Sequence, residues 1–307
     1  MKILLIYFSG TGNTALCADF LREHFINEGH EVKKYEIFHN REFNEDVNDY
    51  DLIGFGYPIH AFNTPQYFNS FIKNLKATDK NIPYFIFKVS GEPFPLNNAS
   101  SHHFVKKLEK KGYHKVSEKH FLMPYNIIFR YKNEIAKQMY LYLKALTKAY
   151  VLEICQKDYE VIPYNFFTKA LSFILRIEWI APKVNSPFAH TNKRCVHCLK
   201  CVKDCPTGAI YVNKKGKIKF KASKCAMCMR CTYSCPKDGI TYGFMNLWKV
   251  NGDYQYKKLV NDNEISPNYI NHDTKGYFKL FNKYFDKQKA LLEKYQIPNP
   301  IDAYLSK

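Results

Sequence analysis

The chain has 307 residues, ten cysteines and a formal net charge of +18. This length is enough for two domains. No stretch reaches the roughly 18 uncharged apolar residues that a transmembrane helix needs, so we expect none. The most apolar stretch, 165–183, is interrupted by Lys169, Arg176 and Glu178. It predicts an amphipathic helix that buries one face against a domain, with a membrane-surface role as the alternative.

The first 124 residues alternate between predicted strands and helices. Residues 2–8 form a continuous apolar run, as expected of a central parallel strand that is buried on both faces. A periodic helix starts at Ala15 and ends at Gly29. Further strands are predicted at 32–38, 51–57, 82–89 and 115–123, with a helix at 101–111. This alternation predicts an α/β fold with a doubly wound, five-stranded parallel sheet.

The loop between the first strand and the first helix is a candidate phosphate site. Backbone N–H groups and the helix dipole point at an anion bound there. The loop contains no Lys or Arg, so we expect hydrogen bonds rather than charge pairing. The residues predicted to bind are Ser9, Gly10, Thr11, Gly12, Asn13 and Thr14.

Three kinds of phosphate loop compete for this pattern. A Walker A loop is excluded, because no Gly-Lys-Ser/Thr follows. A dinucleotide fingerprint is a closer rival, since Gly10, Gly12 and Ala15 match its spacing and Glu36 ends the second strand. A flavin mononucleotide (FMN) site explains more, because it also uses the hydroxyl groups of the loop.

Two later loops follow strands three and four, beside the switch point of the sheet. They contain Tyr57, Pro58, Ile59, His60, Ala61, Phe62 and Asn63, and then Ser90, Gly91, Glu92 and Pro93. With the phosphate loop, they resemble the FMN-binding loops of flavodoxins, over residues 1–156. The resemblance implies that these loops hold the isoalloxazine ring. It also implies an aromatic cover, for which Tyr57, His60, Phe62 and Phe94 are the candidates.

Eight cysteines form two runs with the same spacing, C-x2-C-x2-C-x3-C-P, and the second run repeats the first position by position. In this pattern the fourth cysteine of each run ligates the other [4Fe–4S] cluster. We therefore predict one cluster on Cys195, Cys198, Cys201 and Cys235, and a second on Cys225, Cys228, Cys231 and Cys205. Zinc fits poorly, because zinc sites use C-x2-C pairs separated by a longer gap. We expect Cys17 and Cys155 to be structural.

Residues 188–245 resemble the bacterial dicluster ferredoxins, which are small α+β proteins. The whole chain resembles the flavodoxin–ferredoxin fusion proteins of anaerobic bacteria and archaea. The predicted units are a flavodoxin-like domain (1–156), a helical connector (157–187), the ferredoxin domain (188–245) and a C-terminal extension (246–307). The connector is rich in aromatic residues, which predicts a packed and mostly fixed bridge; they are Tyr164, Phe166, Phe167, Phe173 and Trp179. In the extension, 277–295 predicts a structural amphipathic helix.

The resemblance implies an electron-transfer protein that connects two [4Fe–4S] clusters with FMN. A ferredoxin-dependent flavin reductase acting on a small acceptor, with Glu92 and His60 near the ring, is an alternative, and a redox-sensing binding protein is another. Most of the positive charge lies after residue 193, including Lys214, Lys215 and Lys217. No nucleic-acid motif accompanies it, so we expect an acidic redox partner such as a ferredoxin, a flavodoxin or an oxidoreductase. Oxygen-sensitive clusters predict an anaerobic cytoplasm, and the sequence leaves the oligomeric state open.

Overall fold

The N-terminal half of the protein is built on a parallel sheet of five strands. The computed structural model describes residues 1–159 and 166–305. The strand order β2-β1-β3-β4-β5 is the flavodoxin-like order, which confirms the predicted fold class. The strands are β1 (Lys2–Tyr7), β2 (Glu31–Glu36), β3 (Leu52–Pro58), β4 (Ile82–Ser90) and β5 (Tyr113–Leu122).

Helices cover both faces of this sheet. They are α1 (Asn13–Asn27), α2 (Gln66–Asn74), α3 (His102–Glu109) and α4 (Asn133–Cys155). Side chains of β1 alternate between the faces: Ile3 and Leu5 pack in the core under α1 and α4, while Leu4 and Ile6 pack under α2 and α3. The continuous apolar run therefore serves two cores. The sequence pattern had not indicated α2.

The cysteine-rich region forms a small unit with two antiparallel strand pairs. Strand β6 (Ala189–Thr191) pairs with β9 (Ile240–Tyr242), and β7 (Ile210–Val212) pairs with β8 (Ile218–Phe220). Each cysteine run leads into one short helix, α7 (Lys200–Lys203) or α8 (Arg230–Tyr233). Leu199 and Met229, at matching positions of the two runs, precede these helices with φ of 60° and 59°. The duplicated sequence thus has a duplicated backbone.

The C-terminal segment packs on the N-terminal domain. It contains α9 (Tyr256–Asn261), α10 (Asn282–Lys294) and α11 (Asp302–Leu305). Leu259, Phe281, Phe285 and Leu292 join the core that α1 and α4 form over the sheet. The segment 277–295, predicted as one helix, begins as a 3₁₀ turn (Gly276–Phe281) before α10. Its apolar pattern is therefore used for packing.

The connector contains α5 (Phe166–Ile174), a 3₁₀ turn (Leu175–Trp179) and α6 (Ala181–Asn185). Trp179 packs as expected, since its ring lies 5.8 Å from His103 and its indole N–H donates to the Thr64 carbonyl. However, Phe167 and Phe173 are 80% and 65% exposed, so these two side chains do not pack as the prediction of a packed bridge expects. Tyr164, residue 165 and the side chain of Phe166 lie outside the described residues.

Within residues 1–159 and 166–305, no helix is both long enough and apolar enough to cross a membrane.

Candidate functional site

A cavity of about 420 Å³ lies at the carboxyl ends of the parallel strands. Its polar end is the loop after β1, and its walls come from the loops after β3, β4 and β5 and from the second cysteine run. This size falls within the range of small-molecule sites. The predicted residues that line it are Ser9, Gly10, Thr11, Asn13, Thr14, Pro58, Ile59, His60, Ala61, Phe62, Ser90, Gly91, Glu92 and Cys228.

The loop after β1 is held in place by hydrogen bonds from neighbouring loops. Gly12 adopts φ of 108°, a left-handed conformation that favours glycine, and it caps α1. The Asn126 amide donates to Thr11 Oγ1 at 2.7 Å, and the Asn13 amide donates to the Pro124 carbonyl at 3.0 Å. A strand, a hydroxyl-rich loop and a helix N-terminus thus form a cradle that fits a phosphate group. This cradle fits the phosphate of FMN.

Three predicted ring-contacting residues lie away from the cavity. Tyr57 is fully buried under α2 and α3, where its hydroxyl hydrogen-bonds Ser100 Oγ at 2.9 Å. Strand alternation turns this side chain into the core, so Tyr57 cannot cover a ring in the cavity. Asn63 instead donates to the Ser172 carbonyl of α5, and Pro93 lines a second cavity of about 520 Å³. His60, Phe62 and Phe94 remain as aromatic candidates.

Gly91 allows a tyrosine to close one wall of the cavity. A Cβ on Gly91 would lie 2.5 Å from the ring of Tyr125, so no other residue fits without displacing that ring. Burial, and then a hydrogen bond to Glu92, raises the pKa of Tyr125. The Glu92 carboxylate also accepts from the Tyr277 hydroxyl at 2.8 Å. Glu92 is therefore held in a network of hydroxyl groups.

His60 lies on the cavity wall rather than in solvent. Burial lowers the pKa of His60 to about 4, so its ring is neutral at pH 7. A neutral imidazole beside an apolar wall is suited to packing and hydrogen bonding. It carries no charge near the expected position of the isoalloxazine ring.

The structure brings the eight cysteines together in two groups of four. Cys195, Cys198, Cys201 and Cys235 line a small cavity of about 20 Å³ on the outer side of the unit. Cys205 and Cys225 lie close enough to both Cys228 and Cys231 to raise the pKa of each thiol. These are the two predicted groups of four. Among the described residues, no three His, Cys, Asp or Glu side chains converge on a position for a single metal ion.

The chemistry of these thiols fits a cationic inorganic core. Burial, followed by the charges of Cys235, Cys195 and Cys198, raises the pKa of Cys201 to about 11. Burial raises the pKa of Cys228 to about 12. Thiolates packed this closely need positive charge between them, which the irons of a [4Fe–4S] cluster would supply.

Backbone amides donate to sulfur at matching positions of the two runs. The Ala209 amide donates to Cys205 Sγ at 3.2 Å, and the Gly239 amide donates to Cys235 Sγ at 3.1 Å. These donors stabilise negative charge on the fourth cysteine of each run. The runs differ at Tyr242, whose hydroxyl lies 3.0 Å from Cys225 Sγ, since the matching position in the first repeat is Val212.

The second cysteine run contacts the phosphate loop directly. A Cβ on Gly10 would lie only 2.7 Å from the Cys228 carbonyl oxygen, so Gly10 permits the approach of the two backbones. Met227 and Met229, on either side of Cys228, line the flavodoxin-like cavity. One cysteine group is thus part of the wall of the candidate flavin site.

Arg230 stabilises the contact between the second cysteine run and the phosphate loop. Its guanidinium donates to the Ser9 carbonyl at 2.9 Å, hydrogen-bonds the Gly10 carbonyl, and forms an ion pair with Glu36 at 2.9 Å. Glu36, the candidate ribose ligand of the dinucleotide alternative, therefore binds this arginine. The loop itself contains no Lys or Arg, but the neighbouring domain places the positive charge of Arg230 against its backbone carbonyls.

The sequence did not indicate several residues of the cavity wall. The loop after β5 could have been predicted, because it lies at the same edge of the sheet as the predicted loops. Met227, Met229 and Met245 had no signal, because they come from the other domain. The residues missed are Val89, Asn97, Met123, Pro124, Tyr125, Asn126, Ile127, Ile128, Met227, Met229 and Met245.

Comparisons with known proteins find one known domain in each of the two regions of the chain. The model of the flavodoxin domain family matches residues 4–139, and that of the 4Fe-4S dicluster domain matches residues 194–238. No curated protein matches the chain.

Several solved flavodoxins are similar to the N-terminal part. A short-chain flavodoxin associated with a PDU bacterial microcompartment is 24% identical, with 41% of this chain and 86% of that one covered and a TM-score of 0.32. Flavodoxin 2 from Bacillus cereus is 21% identical, with coverage of 40% and 84% and a TM-score of 0.33. The Streptococcus pneumoniae TIGR4 flavodoxin is 18% identical, with coverage of 51% and 99% and a TM-score of 0.35.

The two family matches coincide with the two halves of the site, one supplying the phosphate loop and the other the cysteine runs. Flavodoxin domains imply FMN, and dicluster domains with eight cysteines imply two [4Fe–4S] clusters. The chain therefore contains a flavodoxin domain over residues 4–139 and a 4Fe-4S dicluster domain over residues 194–238, a combination that implies electron transfer.

Proposed function

We propose that this protein transfers electrons between two [4Fe–4S] clusters and FMN within one chain, and so couples one-electron to two-electron carriers. The observation that carries the proposal is the contact of the second cysteine run with the candidate flavin site. Cys228 packs against Gly10 of the phosphate loop, and Met227 and Met229 line the same cavity as that loop. Bound FMN would exchange one or two electrons, and each cluster would exchange one.

The two domains would bind these groups with the residues described above. Backbone N–H groups and hydroxyls of residues 9–14 would hold the FMN phosphate, and the loops after β3, β4 and β5 would enclose its ring. The thiolates of Cys195, Cys198, Cys201 and Cys235 would hold an outer cluster. Those of Cys205, Cys225, Cys228 and Cys231 would hold an inner cluster.

Apolar side chains and an ion pair lie at the junction between the domains. Met227, Met229 and Met245 line the cavity. The half-buried Arg230–Glu36 pair joins the second cysteine run to the flavodoxin-like domain beside the phosphate loop. A junction held in this way would keep the distance between the two redox groups constant.

The outer cysteine group is the proposed contact point for an external partner. Cys198 is exposed, and two exposed lysines, Lys200 and Lys237, line the same small cavity. Complementary charge increases the rate of encounter with an acidic protein. The proposed partner is therefore an acidic redox protein that exchanges electrons with the outer cluster.

The reductase alternative would use the same cavity with a small acceptor. The candidate acid–base groups do not favour it. The Glu92 carboxylate is already hydrogen-bonded by the Tyr277 hydroxyl. The pKa of His60 is lowered to about 4, so this ring is not poised to exchange a proton near neutral pH.

An anaerobic reductive titration tests the proposal. A fully loaded chain should contain four irons per cluster and one FMN, and it should accept one electron per cluster and two per flavin. Visible spectra separate the bleaching of the clusters from that of the flavin. Full reduction of the clusters by a one-electron donor without any reduction of the flavin would contradict the relay.

A further inference from the structure

Helix α5 presents its apolar face to solvent. Phe167, Leu171 and Ile174 have the spacing i, i+4, i+7 and share one face, and they are 80%, 45% and 66% exposed. Ser172, on the opposite side, is buried, and its hydroxyl donates to Asn63 Oδ1 at 2.9 Å. The helix is therefore anchored by a polar side chain, with its apolar stripe outward. This orientation is the reverse of the usual packing of an amphipathic helix.

Further exposed apolar side chains follow α5 in the chain. Val184 and Phe188 are 56% and 54% exposed. The ring of Phe188 lies 5.0 Å from that of Phe244, in the 3₁₀ turn Gly243–Trp248. In this turn Phe244, Leu247 and Trp248 are 67%, 88% and 52% exposed. We call the α5 stripe (Phe167, Leu171 and Ile174) together with Phe244, Leu247 and Trp248 the apolar belt.

Positive charge accompanies the apolar belt. Residues 166–188 contain Lys169, Arg176 and Lys183 but only one acidic residue. Burial, and then the charges of Arg176 and Lys107, lower the pKa of His103 to about 4. The Arg176 guanidinium lies over the rings of Phe173 and Trp179, so cationic and apolar groups share the region.

We propose that the apolar belt docks the protein on the surface of an anionic lipid bilayer. Exposed Phe, Leu and Trp side chains with flanking Lys and Arg are the pattern of helices that lie in the membrane interface. Charge disfavours a second copy of the chain, because a symmetric dimer would bring two basic surfaces together. The six belt residues are exposed and line none of the three cavities described above, whereas protein partners anchor in pockets.

Docking in this orientation would bring the rim of the flavin cavity close to the bilayer. Ser172 of α5 also donates to the carbonyl of Phe62, which lines that cavity. At the other end of the belt, Met245 lines the same cavity. The inference itself depends on the belt alone and not on the proposed electron transfer.

Vesicle co-sedimentation of the full-length protein tests the proposal. We expect binding to vesicles of mixed phosphatidylglycerol and phosphatidylcholine, weaker binding at high salt, and little binding to phosphatidylcholine alone. The triple variant Phe167→Ser, Leu171→Ser, Ile174→Ser should bind at least about tenfold more weakly, because binding scales with buried apolar area. The matched control replaces Ile26, Val212 and Leu305, which are 41%, 39% and 59% exposed, with serine, and it should bind like the wild type.

A fluorescence experiment identifies the face that binds. The chain has two tryptophans, so Trp179→Phe leaves Trp248 of the belt as the sole reporter. Brominated lipids should quench this tryptophan, and its emission should shift to the blue. Failure of the wild type to bind anionic vesicles, equal binding by the triple variant, or an unquenched Trp248 would each overturn the proposal. Self-association abolished by the triple variant, without vesicle binding, would overturn it in favour of a second copy.

Discussion

The two cysteine runs have the same spacing and the same local backbone, but they have different surroundings. Cys198 of the first run is exposed, whereas Cys228, at the matching position of the second run, packs against Gly10 of the phosphate loop. Lys200 of the first run pairs with Asp204 beside it on the surface, whereas Arg230 at the matching position pairs with Glu36 of the flavodoxin domain. A duplicated ligand pattern has thus given one outward-facing and one inward-facing site. The residues between the cysteines, rather than the cysteines, decide this difference.

Gly10→Ala should have the largest effect, because it forces the inner cysteine run away from the phosphate loop. The added Cβ would lie 2.7 Å from the Cys228 carbonyl oxygen. Overpacking of this kind costs about 1–3 kcal/mol, and we expect flavin reduction by the clusters to slow by at least about tenfold. Stopped-flow spectroscopy measures this rate. Gly216→Ala is the control for backbone strain alone, since its φ is 72° but its Cβ would meet nothing within 4 Å. An equal slowing there would argue against the contact.

Cys198→Ser and Cys228→Ser should distinguish the outer cluster site from the inner one. Each should lower the iron content by about one cluster, or four irons. Only Cys228→Ser should also weaken FMN binding, by about tenfold, because Cys228 supports Gly10 and lines the cavity. Iron and flavin analysis after dialysis measures both effects. Equal loss of FMN in the two variants would show that the runs are not distinguished in this way.

Arg230→Gln and Lys200→Gln compare matching positions of the runs. Arg230 holds two backbone carbonyls and a half-buried carboxylate, so its loss should lower the free energy of unfolding by about 1–3 kcal/mol. The Lys200–Asp204 pair is exposed, and its loss should cost less than about 0.5 kcal/mol. Urea unfolding of the two variants measures the difference. A larger cost at Lys200 would be incompatible with the docking that we describe.

Tyr242→Phe should have the smallest effect, confined to the inner cluster. The Tyr242 hydroxyl lies 3.0 Å from Cys225 Sγ, where a hydrogen bond would stabilise the more negative, reduced state. Its loss should lower the reduction potential by roughly 40 mV, which corresponds to about 1 kcal/mol for one electron. Redox titration followed by electron paramagnetic resonance resolves the two clusters. A change in the reduction potential of the outer cluster instead would contradict the position of this hydroxyl beside Cys225.

Much of the candidate site could be predicted because its signals are local. The fold class followed from the alternating strands and from the buried run at 2–8. The phosphate loop and the cysteine groups depend on short spacings, which a single stretch of chain records. The loops after β3 and β4 were found for the same reason, since parallel strands end at a common edge.

The rest depends on contacts between distant segments. Nothing near Gly10 in the sequence indicates that Cys228, which belongs to the other domain, requires its small size. Tyr57 was placed at the ring because it ends a strand, but strand alternation turns it into the core. The apolar stripe of α5 was expected to be buried, yet Ser172 anchors the opposite side. Which face of a helix packs is a tertiary property.

Flavin reduction measured over a range of protein concentrations tests most directly whether the inner cysteine run is docked at the flavin site. Chains whose clusters have been rapidly reduced should pass electrons to their own flavin, because Cys228 and the phosphate loop form one cavity wall. We predict a first-order rate constant that stays unchanged when the protein is diluted about tenfold. A rate constant that falls in proportion to dilution would show transfer between molecules and would contradict docking of the inner cysteine run at the flavin site.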